Sequence, residues 1–334
     1  MREPFGTLAD GRSVERITLR GGGLTARFLT WGAVLQDLRL DGHAPPLVLG
    51  LETLADYLAH SRHFGATVGR CANRIAGGRC RIDGQPVRLD LNEKGRHHLH
   101  GGGENAGRLP WRVAALAPEA VTFTLTLPDG HMGYPGTLRL RARFALPGEG
   151  TLDIHYSAET DAPTLCNLAH HSYFALDGQG DVREHTLCIA ADRYLPVDDD
   201  KIPAGGSAPV AGTMFDFRKP RVIGAGGIDH NFCLATERGP LRPVARLRSA
   251  ASGVTLALHS TEPGLQVYDA HALAVPVDGI EGQALGPFAG LALEPQLWPD
   301  SPNRPDFPQA VLRPGARYAQ HTRLVFTRDQ SRAR

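Results

Sequence analysis

The 334-residue chain lacks an excess of either charge: 36 basic and 35 acidic residues are mixed along it and leave a formal net charge of +1. No field exists to hold a polyanion, so a nucleic-acid partner is not expected. Cysteine is scarce, and Cys71, Cys80, Cys166, Cys188 and Cys233 form no CxxC pair and no framework spacing; they read as buried reduced thiols. No run of roughly 18 uncharged apolar residues occurs. The opening MREPFGTLADGRSVERITLR has no apolar h-region, and the expectation is a soluble protein without an export signal, off the membrane and cytoplasmic. GxGxxG and Walker fingerprints are missing too. The glycine clusters at Gly21 to Gly23 and Gly101 to Gly103 lack the amphipathic helix that phosphate cradling needs, so no nucleotide cofactor is expected.

What is present is alternation. Val121, Phe123, Leu125 and Leu127 interleave with threonines, and Leu138, Leu140, Ala142 and Phe144 with Arg139, Arg141 and Arg143, the pattern of half-buried antiparallel strands with a solvated outer face. Shorter stretches of the same kind cover Glu15 to Arg20, Ala33 to Leu40, Thr151 to Ser157, Val254 to His259 and Arg317 to Phe326. Asp-Gly, Pro-Gly and Gly-Gly turns lie between them. Only Leu51, Leu54, Ala55 and Leu58 have helical spacing, and no βαβ rhythm appears. Glycines and prolines are spread along the chain instead of gathered in a linker. The reading is all-β: one large antiparallel β-sandwich, residues 1–334 forming a single domain.

Two stretches place polar groups inside apolar strand patterns, NLAHHSYFAL (Asn167 to Leu176) and GLALEPQLWPDSPN (Gly290 to Asn303). A carboxylate among Leu291, Leu293, Pro295 and Trp298 must be paired, hydrogen-bonded or shifted in pKa. Glu294 is therefore the first functional candidate, on backbone kept extended by the following proline. Strand alternation puts Ala292, Glu294 and Gln296 on one face, expected to line a cleft. It also puts His170 and His171 on opposite sides of their strand, and the residues alone do not choose between them. Asn73-Arg74, His100 and Asp229 recur in similar turn-proximal settings. An arginine, an amide, imidazoles and carboxylates together suit the clustered hydroxyls of a sugar. Trp298, Tyr173 and Phe232 are candidate apolar faces for a pyranose ring.

The blocks GRCANRI, LHGG, GYPG, NLAHHSYFAL, DHNFCL, PGLQVY and LEPQLWPDSPN, in that order, resemble those of the aldose 1-epimerases, also called galactose mutarotases. The resemblance implies the galactose mutarotase-like supersandwich fold and the interconversion of α and β anomers of free aldohexoses such as galactose and glucose. It implies His171 as catalytic acid and Glu294 as catalytic base, which resolves the histidine pair. Asn73, Arg74, His100, Asp229 and Gln266 match substrate-binding positions. No metal and no cofactor is implied, and the partner is a monosaccharide taken by a monomer or homodimer. Cys71, His131-Met132 and Asp269-Ala270-His271 depart from the family pattern, the last at the expected sugar rim.

Rival readings use the same residues. His98 and His100, on one face of a strand, would be a partial zinc ligand set. Asp229 and Glu294 can be cast as a glycosidase pair. Arg70, Arg74 and Arg79 would serve a hexose-6-phosphate epimerase if they formed a cationic pocket. A noncatalytic sugar-binding module on the same sandwich is the remaining alternative.

Overall fold

A computed structural model describes residues 1–61, 63–178 and 180–329. The chain opens with a four-stranded antiparallel meander, Arg2–Thr7, Ser13–Gly21, Leu24–Leu29 and Val34–Leu40. A nine-stranded sheet has at its centre Leu138–Gly148, Thr151–Thr160, Tyr318–Arg328 and Val254–Ser260, in that spatial order. A six-stranded sheet is ordered Tyr173–Phe174, Leu291–Gln296, Gly264–Tyr268, Asp229–Cys233, Arg193–Tyr194 and Ala208–Pro209.

Alternation places the core. Phe123, Leu138, Leu140, Ala142 and Phe144 are buried while Arg139, Arg141 and Arg143 are exposed. One apolar cluster joins Ile17 and Phe28 of the meander, Phe144, Ile154 and Leu256 of the large sheet, and Val267, Leu291 and Leu293 of the six-stranded sheet. The two smaller sheets thus share one core with the inner face of the large one, which is the expected sandwich. Phe28 and Phe144 meet with ring centroids 4.6 Å apart; truncating a core phenylalanine of this kind to alanine costs about 3–5 kcal/mol.

The one α-helix among the described residues is Leu54–His60, capped by Thr53, whose hydroxyl accepts the Asp56 amide at 3.1 Å. It starts after Leu51, because the cap sits between that residue and the rest of the apolar spacing. NLAHHSYFAL is not one strand. Ala169–His171 pairs with Ala66–Val68, whereas Tyr173–Phe174 pairs with Leu291–Gln296. All five cysteines are free; Cys188 and Cys233 are partly exposed, against the expectation of burial, and the other three are buried. No helix among the described residues is long and apolar enough to cross a membrane.

Candidate active site

Glu294 stands in mid-strand. Its neighbour Gln266 is its register partner in Gly264–Tyr268, and Asn231 is the register partner of Gln266 in the next strand. The following Pro295 breaks no ladder bond, because the strand on the other side, Tyr173–Phe174, pairs only with Leu291 and Ala292. Gln266 and Asp229 close this side of the site, the Gln266 side-chain amide donating to Asp229 Oδ1 at 2.7 Å.

The opposite side comes from tight turns. Asn73, His100 and His63 all have left-handed backbone, with φ of 60°, 53° and 65°. This is a costly conformation for histidine, of the kind that collects at functional sites. Asn73 and His100 lock each other. The His100 amide donates to the Asn73 carbonyl at 3.0 Å, and the Asn73 amide donates to His100 Nδ1 at 3.1 Å. Beside them a Cβ on Gly101 would fall 2.0 Å from the carbonyl oxygen of Gly69, so the LHGG turn requires glycine. Arg74 is held by Glu93 through paired bonds of 2.8 and 2.7 Å.

These groups converge on a cleft of about 610 Å³ lined by all seven residues singled out from the sequence, Asn73, Arg74, His100, His171, Asp229, Gln266 and Glu294. At its base His171 Nε2 lies 3.5 Å from Glu294 Oε1, both side chains almost wholly buried. The ring centroids of His100 and His171 are 5.2 Å apart, and those of His63 and His171 5.6 Å. Burial pushes Glu294 well above the usual carboxylate range; the Asp229 charge adds to this and Arg74 opposes it. Burial pushes His171 down to about 4. His170 faces the other way, its Nε2 2.8 Å from the Ser172 hydroxyl in the interior.

His100, His171 and Glu294 bring three potential ligand atoms within 4.8 Å of one another, but their hydrogen bonding does not suit a cation. Because His100 Nδ1 accepts the Asn73 amide, and burial keeps the ring neutral far below its ordinary pKa, the ring proton sits on Nε2. That edge of the imidazole donates. His98 joins no such set: its Nε2 is 2.6 Å from the Tyr134 hydroxyl and its Nδ1 2.7 Å from the Asp90 carbonyl. The shared strand face expected for His98 and His100 ends where His100 turns left-handed.

Other expectations are corrected here. Gln296 is fully buried and does not line the cleft. Trp298 packs with Phe307 and Leu195, and Phe232 lies in the main core, so of the three expected sugar-facing aromatics only Tyr173 lines the site. The cationic trio does not assemble. Arg70 is buried, donating to the carbonyls of Leu127, Pro128, Pro135 and Gly136, while Arg79 lies outside the cleft. Residues that sequence reasoning did not single out also line it, notably His63, Glu93 and Tyr268. Only their closeness to GRCANRI and LHGG signalled the first two, whereas Tyr268 ends the PGLQVY block. The departure at Asp269-Ala270-His271 reaches the site through His271, whose Nδ1 is 2.7 Å from buried Asp269.

The sequence matches the family described as aldose 1-epimerase over residues 15–325. The chain belongs to the aldose 1-epimerase family. It is 42% identical to a galactose mutarotase of Mus musculus, with 98% of each chain covered. To an aldose 1-epimerase of Escherichia coli (strain K12) it is 37% identical, covering 95% of this chain and 96% of the other. The crystal structure of an aldose epimerase homologue from C. elegans superimposes with a TM-score of 0.88 at 31% identity, over 94% of this chain and 98% of that one. The fold is thus the galactose mutarotase-like sandwich, and the protein is an isomerase of this family.

Proposed function

We propose that this epimerase interconverts the α and β anomers of free aldohexoses, with Glu294 as base, His171 as acid and residues 1–334 acting as one domain. The reading rests above all on the 3.5 Å approach of His171 Nε2 to Glu294 Oε1 at the base of the cleft. Two groups this close can each reach one of the two oxygens carried by C1, the hydroxyl and the ring oxygen. Glu294 takes the proton from the C1 hydroxyl as the bond from C1 to the ring oxygen breaks, and His171 gives a proton to that oxygen. Rotation about C1–C2 turns the aldehyde over. Closure on the other face returns both protons, so each group ends as it began.

Burial acts on this cycle. The pair is ionic while the pyranose is bound and neutral while the open-chain aldehyde is bound. The upward push on Glu294 and the downward push on His171 both favour the neutral pair. Desolvation therefore works in the direction of ring opening. Arg74, whose charge lowers Glu294, and the hydroxyls of the bound sugar restore the carboxylate at the start of the cycle. Asn73, Arg74, His100, Asp229 and Gln266 orient the ring, His100 as a donor through Nε2.

Purified protein should speed the polarimetric relaxation of freshly dissolved α-glucose or α-galactose. A relaxation rate equal to that in buffer would refute this reading.

A further inference from the structure

On the outer face of the nine-stranded sheet lies a hollow of about 360 Å³ that shares no lining residue with the catalytic cleft. Strand register explains it. Ser157 of Thr151–Thr160 is the partner of Arg141 on one side and of Ala319 on the other, and in the next row of this face His155 stands between Arg143 and His321. Two small side chains beside a row of long ones leave a dip. Arg317, two residues before Ala319 and so on the same face, lines it from the other end.

The hollow is basic and uncompensated. Arg141, Arg143 and Arg317 are exposed, with no hydrogen-bond or ion-pair partner among the described residues, and no carboxylate lines the hollow. The two acids of the same strand face are engaged elsewhere: both oxygens of Asp153 accept from Arg323, at 2.7 and 2.8 Å, and Glu159 faces Arg139 across the strands. Asp153, His155 and His321 do bring three potential ligand atoms within 4.8 Å of one another. The Arg143 and Arg323 charges beside them, and the bonds already made by Asp153, oppose a metal ion there. Burial, the stacked His321 ring at 3.9 Å and the charges of Arg143 and Arg323 lower the pKa of His155, and only Asp153 raises it. Like charges gathered on one sheet face are destabilising until a counter-charge joins them.

We propose that this hollow is a binding site for a phosphate dianion, free or as the monoester of a small metabolite. Guanidinium forks match pairs of phosphate oxygens, and the Ser157 hydroxyl adds a donor from the floor. The volume lies at the lower end of the range for small-molecule sites, which leaves space for the organic part of an ester. Occupancy here is independent of the acid and base in the cleft.

The test is isothermal titration calorimetry of the full chain with inorganic phosphate and with glycerol 3-phosphate, in about 0.1 M chloride to screen diffuse attraction. At least one of them should bind one-to-one with a Kd of roughly 1 mM or below, and the tighter identifies the source of the phosphate. R141A, R317A and A319F, the last filling the hollow from an exposed strand position, should each weaken binding tenfold or more. R139A removes the same charge from the same face outside the hollow and should leave Kd within threefold. The pKa of His155, followed by NMR, should rise on binding, because an anion beside the imidazole favours its protonated form. His171 signals should stay in place. If A319F fails to fold, the two arginine variants, which alter only exposed side chains, decide the matter. Binding no tighter than that of acetate, equal losses in R139A and R141A, or signals of His171 moving in place of those of His155 would overturn the site.

Discussion

The backbone amide of Asn73 donates to Nδ1 of His100 at 3.1 Å, and that bond decides which edge of the imidazole carries hydrogen. His100 faces the cleft as a donor. H100Q, which keeps an amide donor, should therefore retain more activity than H100L. The leucine variant should lose about 1–3 kcal/mol in kcat/KM, the cost of an unmade buried hydrogen bond. Equal loss in the two variants would remove the donor role.

For the acid and base the expected effects are larger. General acid or base catalysis supplies roughly 10²–10⁴ per group, which raises the barrier by about 3–5 kcal/mol in E294Q or H171N. H170A should instead lower the melting temperature and leave kcat near wild type, since His170 bonds Ser172 inside the protein. Polarimetry with thermal melts separates these outcomes, and equal kcat losses at His170 and His171 would undo the assignment.

Glu93 touches no reacting atom in this scheme, yet it holds both nitrogens of one edge of the Arg74 guanidinium. E93Q should raise KM roughly tenfold, about 1.4 kcal/mol, with a smaller fall in kcat. A loss confined to thermal stability would make Glu93 purely structural.

The pH profile follows from the opposite shifts in the pair. With His171 lowered to about 4 and Glu294 raised, the empty site carries one shared proton across the interval between them. The value of kcat/KM should fall as pH drops through about 4, where a second proton binds and no carboxylate remains to act as base. It should fall again only above the raised Glu294 value, where the site loses its acid. An acid limb near the ordinary histidine pKa would contradict the burial argument.

Glucose 6-phosphate should be a poorer substrate than glucose, by at least tenfold in kcat/KM. Arg70 is spent on carbonyls and Arg74 on Glu93, and the other cations lining the cleft, Lys94, Lys201 and Arg108, are matched in number there by Asp199, Asp200 and Asp229. A preference for the phosphorylated sugar would reverse this assignment.

Most of the sandwich was legible because its strands alternate cleanly. The expected Thr151 to Ser157 and Arg317 to Phe326 are found as Thr151–Thr160 and Tyr318–Arg328. Glu294 stood out as a carboxylate in an apolar strand, whereas His171 could be told from His170 only through the family resemblance. What stayed hidden depends on left-handed turns and long-range partners. His63 reaches the site because its backbone turns, as does that of His100, and alternation cannot reveal such a reversal. The bond between Arg74 and Glu93 joins residues with no shared sequence pattern. Trp298 was misread because an aromatic beside a functional block looks the same whether it faces a ligand or, as here, packs against Phe307.

Glu294, Gln266 and Asp229 stand on paired strands, while Asp199, Asp200, Lys201 and His271 to Leu273 reach the same space from segments outside the sheets. Chemistry and selectivity are thereby assigned to separately replaceable parts. Loops at the mouth can be lengthened, shortened or exchanged to admit other carbohydrates without retuning the proton-transfer machinery beneath. For engineering, the mouth is the place to diversify and the strands are the part to leave alone.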